Sequence, residues 1–183
     1  MDHVGSLSLI AALAFGAYAM VAGFASGRRA DRPLLRSAER AVYGFLGMIT
    51  LSVVALEILI LKDAFHIEYI ASHSNLSLPL FYKFSVLWSG QEGSLLFWTW
   101  LVAGYCAIVV FQNRKRNLQL LPYMIGISMV TAVFFASLTL FIENPFKELV
   151  FDTGDGLVHG FMPPDGRGLN PILQHPAMVI HPP

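Results

Sequence analysis

Four stretches of this chain, residues 6–24, 41–61, 94–111 and 121–142, each run for about the thickness of a bilayer with Glu57 as their single charged residue. Roughly 20 helical residues at about 1.5 Å each cross about 30 Å of hydrocarbon. Lipid offers the backbone no hydrogen-bond partners, so each stretch is predicted to be a helix that satisfies its own amides. With 55% hydrophobic and 13% charged residues, the 183-residue chain is too apolar for an ordinary soluble domain. A formal net charge of zero excludes the uniform basic field of a nucleic-acid binder, and no such partner is expected. The single cysteine, Cys106, lies inside an apolar run and leaves no disulfide framework and no Cys-x-x-Cys-His site. It reads as a packing residue.

The basic residues orient the helices. Arg28, Arg29, Arg32, Arg36 and Arg40 fall in the first connection and Arg114, Lys115 and Arg116 in the third, eight of the twelve Lys and Arg. These connections are expected on the cytoplasmic side, which gives an N-out, C-out topology. The first run has its positive charges after its apolar core rather than before it, unlike a signal peptide. All six histidines (His3, His66, His73, His159, His175, His181) then fall on the outer side, none within a helix. Glu57 sits one turn before the end of the second run, where it is expected to reach water or Lys62. Gly16, Gly23, Gly44, Gly47, Gly104 and Gly126 are expected to allow close helix approach, and Pro122 suits a first helical turn.

The fold class is therefore an all-α membrane protein of four transmembrane helices, with residues 1–142 forming the helical region and 143–183 an outer segment. The outer loop, 63–92, carries Phe65, Ile67, Tyr69, Leu78, Leu80, Phe81, Phe84, Leu87 and Trp88. That much apolar surface predicts a loop lying in the membrane interface or against another part of the protein. Trp88, Trp98 and Trp100 crowd the entry to the third run, as amphipathic aromatics do at a membrane boundary. His73-Ser74-Asn75 reads most simply as a self-capped polar turn, with His73 a secondary candidate for ligation or proton transfer. From Glu143 onward seven prolines and five glycines predict an extended tail. Pro182 disfavours helix at His181, so that imidazole is expected on a stiff extended backbone, a good mount for a ligand.

Two segments, HSNLSLPLFYKFSVLWSGQEGSLLFW (73–98) and DGRGLNPILQHPAMVIHPP (165–183), together resemble the CcmF/CycK-type haem lyases of cytochrome c maturation. The resemblance covers essentially the whole chain as the N-terminal portion of longer proteins. It implies a protein of the bacterial cytoplasmic (inner) membrane that takes haem from the chaperone CcmE and joins it to apocytochrome c in the periplasm. A thiol-handling protein such as CcmH and the remainder of the CcmF-like protein are the other implied partners. Haem b is implied as the transferred substrate, with His181 matching a periplasmic axial ligand of the family. A resident haem would need residues beyond this chain, and WSGQEGS is distinct from the family's tryptophan-rich segment. His175 departs from the family pattern, which more often has an acid or amide there; His175 and Trp88 stand as secondary candidates. No metal site beyond haem iron is expected, since two histidines six apart lack a third ligand of fixed spacing.

Two other readings remain open on the sequence. A non-catalytic scaffold that docks the haem chaperone or thiol-delivery partners needs only the outer surfaces. A transporter or anchor subunit would rest on Glu57 and the helix glycines, and lacks paired intramembrane charges. No nucleophile-base pair or phosphate loop suggests an enzyme complete in itself.

Overall fold

The computed structural model describes residues 1–152, 157–159 and 161–180. Four long helices, α1 (Asp2–Arg29), α2 (Arg32–Leu61), α5 (Gln91–Asn113) and α6 (Leu121–Phe141), are apolar and long enough to cross a membrane. Between α2 and α5 lie the short helices α3 (Glu68–His73) and α4 (Leu80–Val86). After α6 come an antiparallel pair, β1 (Val150–Asp152) and β2 (Leu157–His159), a 3₁₀ turn (Pro171–Gln174) and α7 (Pro176–Ile180). Val150 pairs with His159, Phe151 with Val158 and Asp152 with Leu157.

The helices outrun the uncharged windows that announce them. The first connection shrinks to Ala30 and Asp31: Ala30 closes α1 in the left-handed conformation (φ 53°), and Asp31 accepts the Leu34 N–H at 3.0 Å to cap α2. Pro33 occupies the first turn of α2, where its missing N–H is not needed. Arg28 and Arg29 therefore end α1, where cations complement the helix dipole, and Arg32, Arg36 and Arg40 ride on α2. An apolar window marks the lipid-crossing part of a helix; caps mark its ends. For the same reason His3 lies in the first turn of α1, and His73 is the last residue of α3. The expectation that no histidine is helical is corrected at both positions.

The core runs between α1, α2 and α6. One stripe of α1, including Leu9, Ala12, Gly16, Ala19 and Gly23, recurs every three or four residues and is buried. A Cβ placed on Gly23 would stand 2.9 Å from the Gly126 amide nitrogen and 3.0 Å from the Pro122 carbonyl. Small residues here bring two backbones together where lipid gives no hydrophobic drive between helices. Gly47 and Gly104 do not share that role: a Cβ at either would meet nothing within 4 Å. Cys106 is buried, its thiol 3.8 Å from the Ser128 carbonyl, a packing position between α5 and α6. Trp100 Nε1 donates to Thr50 Oγ1 at 3.0 Å and ties α5 to α2.

Residues 63–92 form a folded cap over one end of the bundle. Phe65, Ile67, Tyr69, Ile70, Leu78, Val86 and Leu87 turn inward and are buried, while Leu80, Phe81 and Phe84 stay exposed. Lys83 belongs to the buried set: its Nζ lies 2.6 Å from both oxygens of Asp63, just past the end of α2. A cation taken out of water needs such a partner. Glu57 is handled differently. Both its carboxyl oxygens are buried with no hydrogen-bond partner among the described residues, so it reaches neither water nor Lys62 as expected from sequence.

The tail is less extended than its composition suggests. Local signals fold it: Asn170 Oδ1 accepts the Ile172 N–H at 3.0 Å to start the 3₁₀ turn, and Pro176 opens α7. The residues immediately before His181 are thus helical rather than an extended mount. His181 itself lies outside the described residues.

Candidate functional site

Tyr69 is the centre of the cap. Its ring is 2% exposed, and its hydroxyl donates to the Val86 carbonyl while accepting the Gly90 N–H at 3.3 Å. Burial pushes its phenol above the ordinary range, so it stays a neutral donor. Gly93 is required for this fit, because a Cβ there would overlap the Leu87 carbonyl and the Tyr69 hydroxyl. The W-S-G-Q-E-G-S stretch owes its glycines to a buried tyrosine that arrives from twenty residues earlier.

The tail docks on the same cap. Arg167 N–H donates to the Ala71 carbonyl at 2.8 Å and Gly168 N–H to the Ser74 carbonyl at 3.0 Å. Asp165 Oδ1 accepts the Leu76 N–H at 2.9 Å and the Gly166 N–H at 2.8 Å. Gly166 lies so close to Ser74 that a Cβ would overlap its carbonyl, and Gly168 has φ +86°. The H-S-N turn is therefore closed only in part on itself, Asn75 accepting the Leu78 N–H at 3.3 Å and Ser77 Oγ–H at 3.2 Å. Its Ser74 carbonyl is met by D-G-R-G, so the two separated motifs fold as one unit.

Trp88 makes the second attachment. Its Nε1 donates to the Val179 carbonyl at 3.0 Å, across 91 positions of sequence. The indole is braced in turn: Trp88 and Phe97 ring centres are 5.4 Å apart, and Phe97 and Trp100 5.9 Å. A line of aromatics thus runs from the tail to the α2–α5 contact at Thr50.

The histidines differ in what their nitrogens are free to do. His73 is half-buried, its ring 4.7 Å from that of Tyr69, with Nδ1 2.9 Å from the Tyr69 carbonyl. A carbonyl only accepts, so Nδ1 carries the proton and the neutral ring keeps its lone pair on Nε2, beside Gly90. His175 is the reverse. Its Nδ1 accepts the Ala177 N–H at 3.2 Å, capping α7, which leaves Nε2 protonated in the neutral ring. His175 as placed uses its Nδ1 lone pair within the tail. His3, His66, His73 and His175, with the backbone of His159, gather at the end of the bundle opposite the arginine-rich connections. Among the described residues no three of His, Cys, Asp and Glu converge as a metal-binding group.

A groove of about 700 Å³ between α2 and α5, lined by Tyr43, Thr50, Trp100, Gly104 and Tyr105 among others, contains none of the candidate histidines. The residues sequence reasoning missed are Tyr69, Asp63 and Lys83. Tyr69 reads from sequence as an apolar loop residue, and Asp63 and Lys83 give no local sign of their pairing.

Residues 88–183 match the family described as cytochrome C assembly protein. The chain is 31% identical over 184 residues to the cytochrome c-type biogenesis protein CcmF of Pseudomonas aeruginosa, covering 100% of this chain and 26% of that protein. It is 28% identical over 181 residues to the cytochrome c-type biogenesis protein CycK of Rhizobium meliloti, covering 99% of this chain and 25% of that one. It thus spans about a quarter of the length of these relatives. A solved cytochrome c haem lyase CcmF shares the fold over 79% of this chain and 24% of its own, with a TM-score of 0.72 and 23% identity. With more than half of its length matched, including Trp88 and both D-G-R-G glycines, the chain belongs to the cytochrome c assembly protein family.

Proposed function

We propose that this chain is the haem-handling N-terminal part of a cytochrome c maturation haem lyase, with His181 as an axial ligand of the haem being transferred. The observation that carries the reading is the joining of the two motifs: the cap built by residues 63–92 holds the tail at Ala71, Ser74 and Trp88, two residues before His181. Residues 1–142 anchor the chain in the bacterial cytoplasmic membrane. Residues 143–183 and the cap face the periplasm, because the arginines at the opposite helix ends favour the cytoplasm. His175 and His73 act in support of the fold, the first as a helix cap and the second as a brace for the cap.

The substrate is haem b, delivered by the chaperone CcmE, and the acceptor is apocytochrome c, its thiols presented by a protein such as CcmH. Each thioether forms by addition of a cysteine S–H across a haem vinyl group. Sulfur bonds to one vinyl carbon, hydrogen goes to the other, and nothing leaves. A ligand imidazole needs a lone pair and a fixed direction, and its task is to hold the porphyrin while the thiols approach. The remainder of the longer protein supplies what this part lacks.

The test is His181→Ala in the full-length protein, with mature c-type cytochrome measured by haem staining. Loss of haem attachment is the expected result. Undiminished attachment removes the assigned role and favours a docking scaffold, for which capture of the haem chaperone survives loss of the histidines.

A further inference from the structure

We propose that the groove between α2 and α5 binds an anionic phospholipid, with an acyl chain lying along α5 and the phosphate among Arg114, Lys115 and Arg116. The site is independent of the haem ligand and of which face of the membrane the arginines occupy.

Two cavities meet here. The groove, of about 700 Å³, follows α5 from Trp100 to Phe111, with Tyr43 and Thr50 of α2 on its other wall. A second cavity, of about 480 Å³, is lined by Phe111, Gln112, Arg114, Lys115 and Arg116. Phe111 belongs to both, so an apolar trough opens directly into a cationic one. The dimensions suit a lipid. Trp100 and Phe111 are eleven residues apart on α5, an advance of about 16 Å, and half of the ~30 Å hydrocarbon core is about 15 Å. A chain whose phosphate sits beside Arg114 therefore spans one leaflet and ends at Trp100.

The groove is built for hydrocarbon. Gly104 lines it, and a Cβ there would meet nothing within 4 Å, so the glycine leaves room that no described part of the chain fills. Such a glycine costs a helix about 1 kcal/mol against alanine, and packing within the chain gives no reason for it. At the far end Trp100 Nε1–H is donated to Thr50 Oγ1, and Thr50 Oγ1–H to the Leu46 carbonyl at 2.7 Å, so an acyl chain lying there strands neither donor. The mouth is the reverse. Among the described residues Arg114, Lys115 and Arg116 form no ion pair. Arg114 is held over the groove wall, its Cζ 4.8 Å from the centre of the Phe111 ring. The eight cations of residues 28–40 and 114–116 share this end with two carboxylates, Asp31 and Glu39, a surplus that attracts a phosphate-bearing surface. Orientation in the membrane needs only charge in the connection; it does not need that charge to border a groove.

The experiment is native mass spectrometry of the 183-residue chain released from neutral detergent, titrated with dioleoyl phosphatidylglycerol, dioleoyl phosphatidylcholine or glycerol 3-phosphate. Wild type is compared with Arg114→Gln, with Arg114→Gln/Lys115→Gln/Arg116→Gln and with Gly104→Leu, which fills the groove and leaves every charge in place. The wild type is expected to hold one phosphatidylglycerol about tenfold or more tighter than phosphatidylcholine, and glycerol 3-phosphate about 100-fold more weakly. Each basic residue near an anionic surface is worth about fivefold, so phosphatidylglycerol should weaken about fivefold in the single arginine variant and about 100-fold in the triple one. Phosphatidylcholine binding should stay unchanged in both, which also reports that they fold, and the single variant decides the charge arm if the triple one does not. Gly104→Leu should weaken phosphatidylglycerol about tenfold. Equal affinity of the wild type for the two lipids overturns the proposal and leaves the groove to any acyl chain or to a neighbouring helix. Undiminished phosphatidylglycerol binding in Gly104→Leu overturns it by reducing the site to surface cations, and so does glycerol 3-phosphate that binds as tightly as the lipid, which assigns the pocket to free phosphate.

Discussion

Gly93→Ala tests the cap by the sign of its effect. Gly93 lies in the first turn of α5, where helix propensity by itself favours alanine by about 1 kcal/mol. The surroundings reverse that preference. The new Cβ would overlap the Leu87 carbonyl, a backbone atom that cannot swing aside, and the Tyr69 hydroxyl. Overpacking of this kind costs about 1–3 kcal/mol. Moving the hydroxyl also strands the Val86 carbonyl and the Gly90 N–H, for which the loss of a buried partner costs about 1–3 kcal/mol. The net expectation is destabilisation by about 2–4 kcal/mol, a fall of roughly 5–10 °C in the unfolding midpoint for a chain of this size. Thermal unfolding of the detergent-solubilised chain by circular dichroism measures it. In a Tyr69→Phe background the hydroxyl is gone but the Leu87 carbonyl remains, so Gly93→Ala should cost about 1 kcal/mol less there. An unchanged or raised midpoint in the single variant would refute the close packing of Tyr69 on α5.

Two further outcomes follow from the same end of the bundle. Lys83→Met leaves the Asp63 carboxylate mostly enclosed without its cation and is expected to cost about 3–5 kcal/mol, whereas adding Asp63→Asn should restore most of the loss; thermal unfolding of the two variants decides it. Tyr69 supplies a pH signature: with its folded pKa raised by burial above the unfolded value near 10, its contribution is complete below that pH and is lost as pH climbs through the folded value. Stability of the wild type should therefore fall above pH 10 by up to about 1.4 kcal/mol per unit more steeply than that of Tyr69→Phe, and equal slopes would show that the phenol ionises freely.

The lipid-crossing helices were legible because absence of charge over twenty residues has few other meanings. Their ends were less so, although Asp31-Arg32-Pro33 is a start signal that places α2 nine residues ahead of its apolar window. The cap was legible as apolar surface needing cover but not as a division between inward Phe65 and Leu87 and outward Phe81 and Phe84. That division depends on how two short helices lie on the bundle, and six- or seven-residue helices are too short to show a period. Lys83 and Asp63 are twenty residues apart, and nothing in their local sequence announces a pair. The tail misled through composition: proline and glycine argue against long helices, yet Asn170-Pro171 and His175-Pro176 each start a short one. The Trp88 to Val179 bond leaves no trace in any window, since a contact across 91 residues has no periodicity to reveal it.

The same separation imposes a timetable during synthesis. The first two helices, joined by only two residues, can meet as soon as they emerge, whereas Trp88 must wait for nearly half the chain before Val179 exists to receive its proton donor. The tail is therefore seated last, after the walls it rests on are standing.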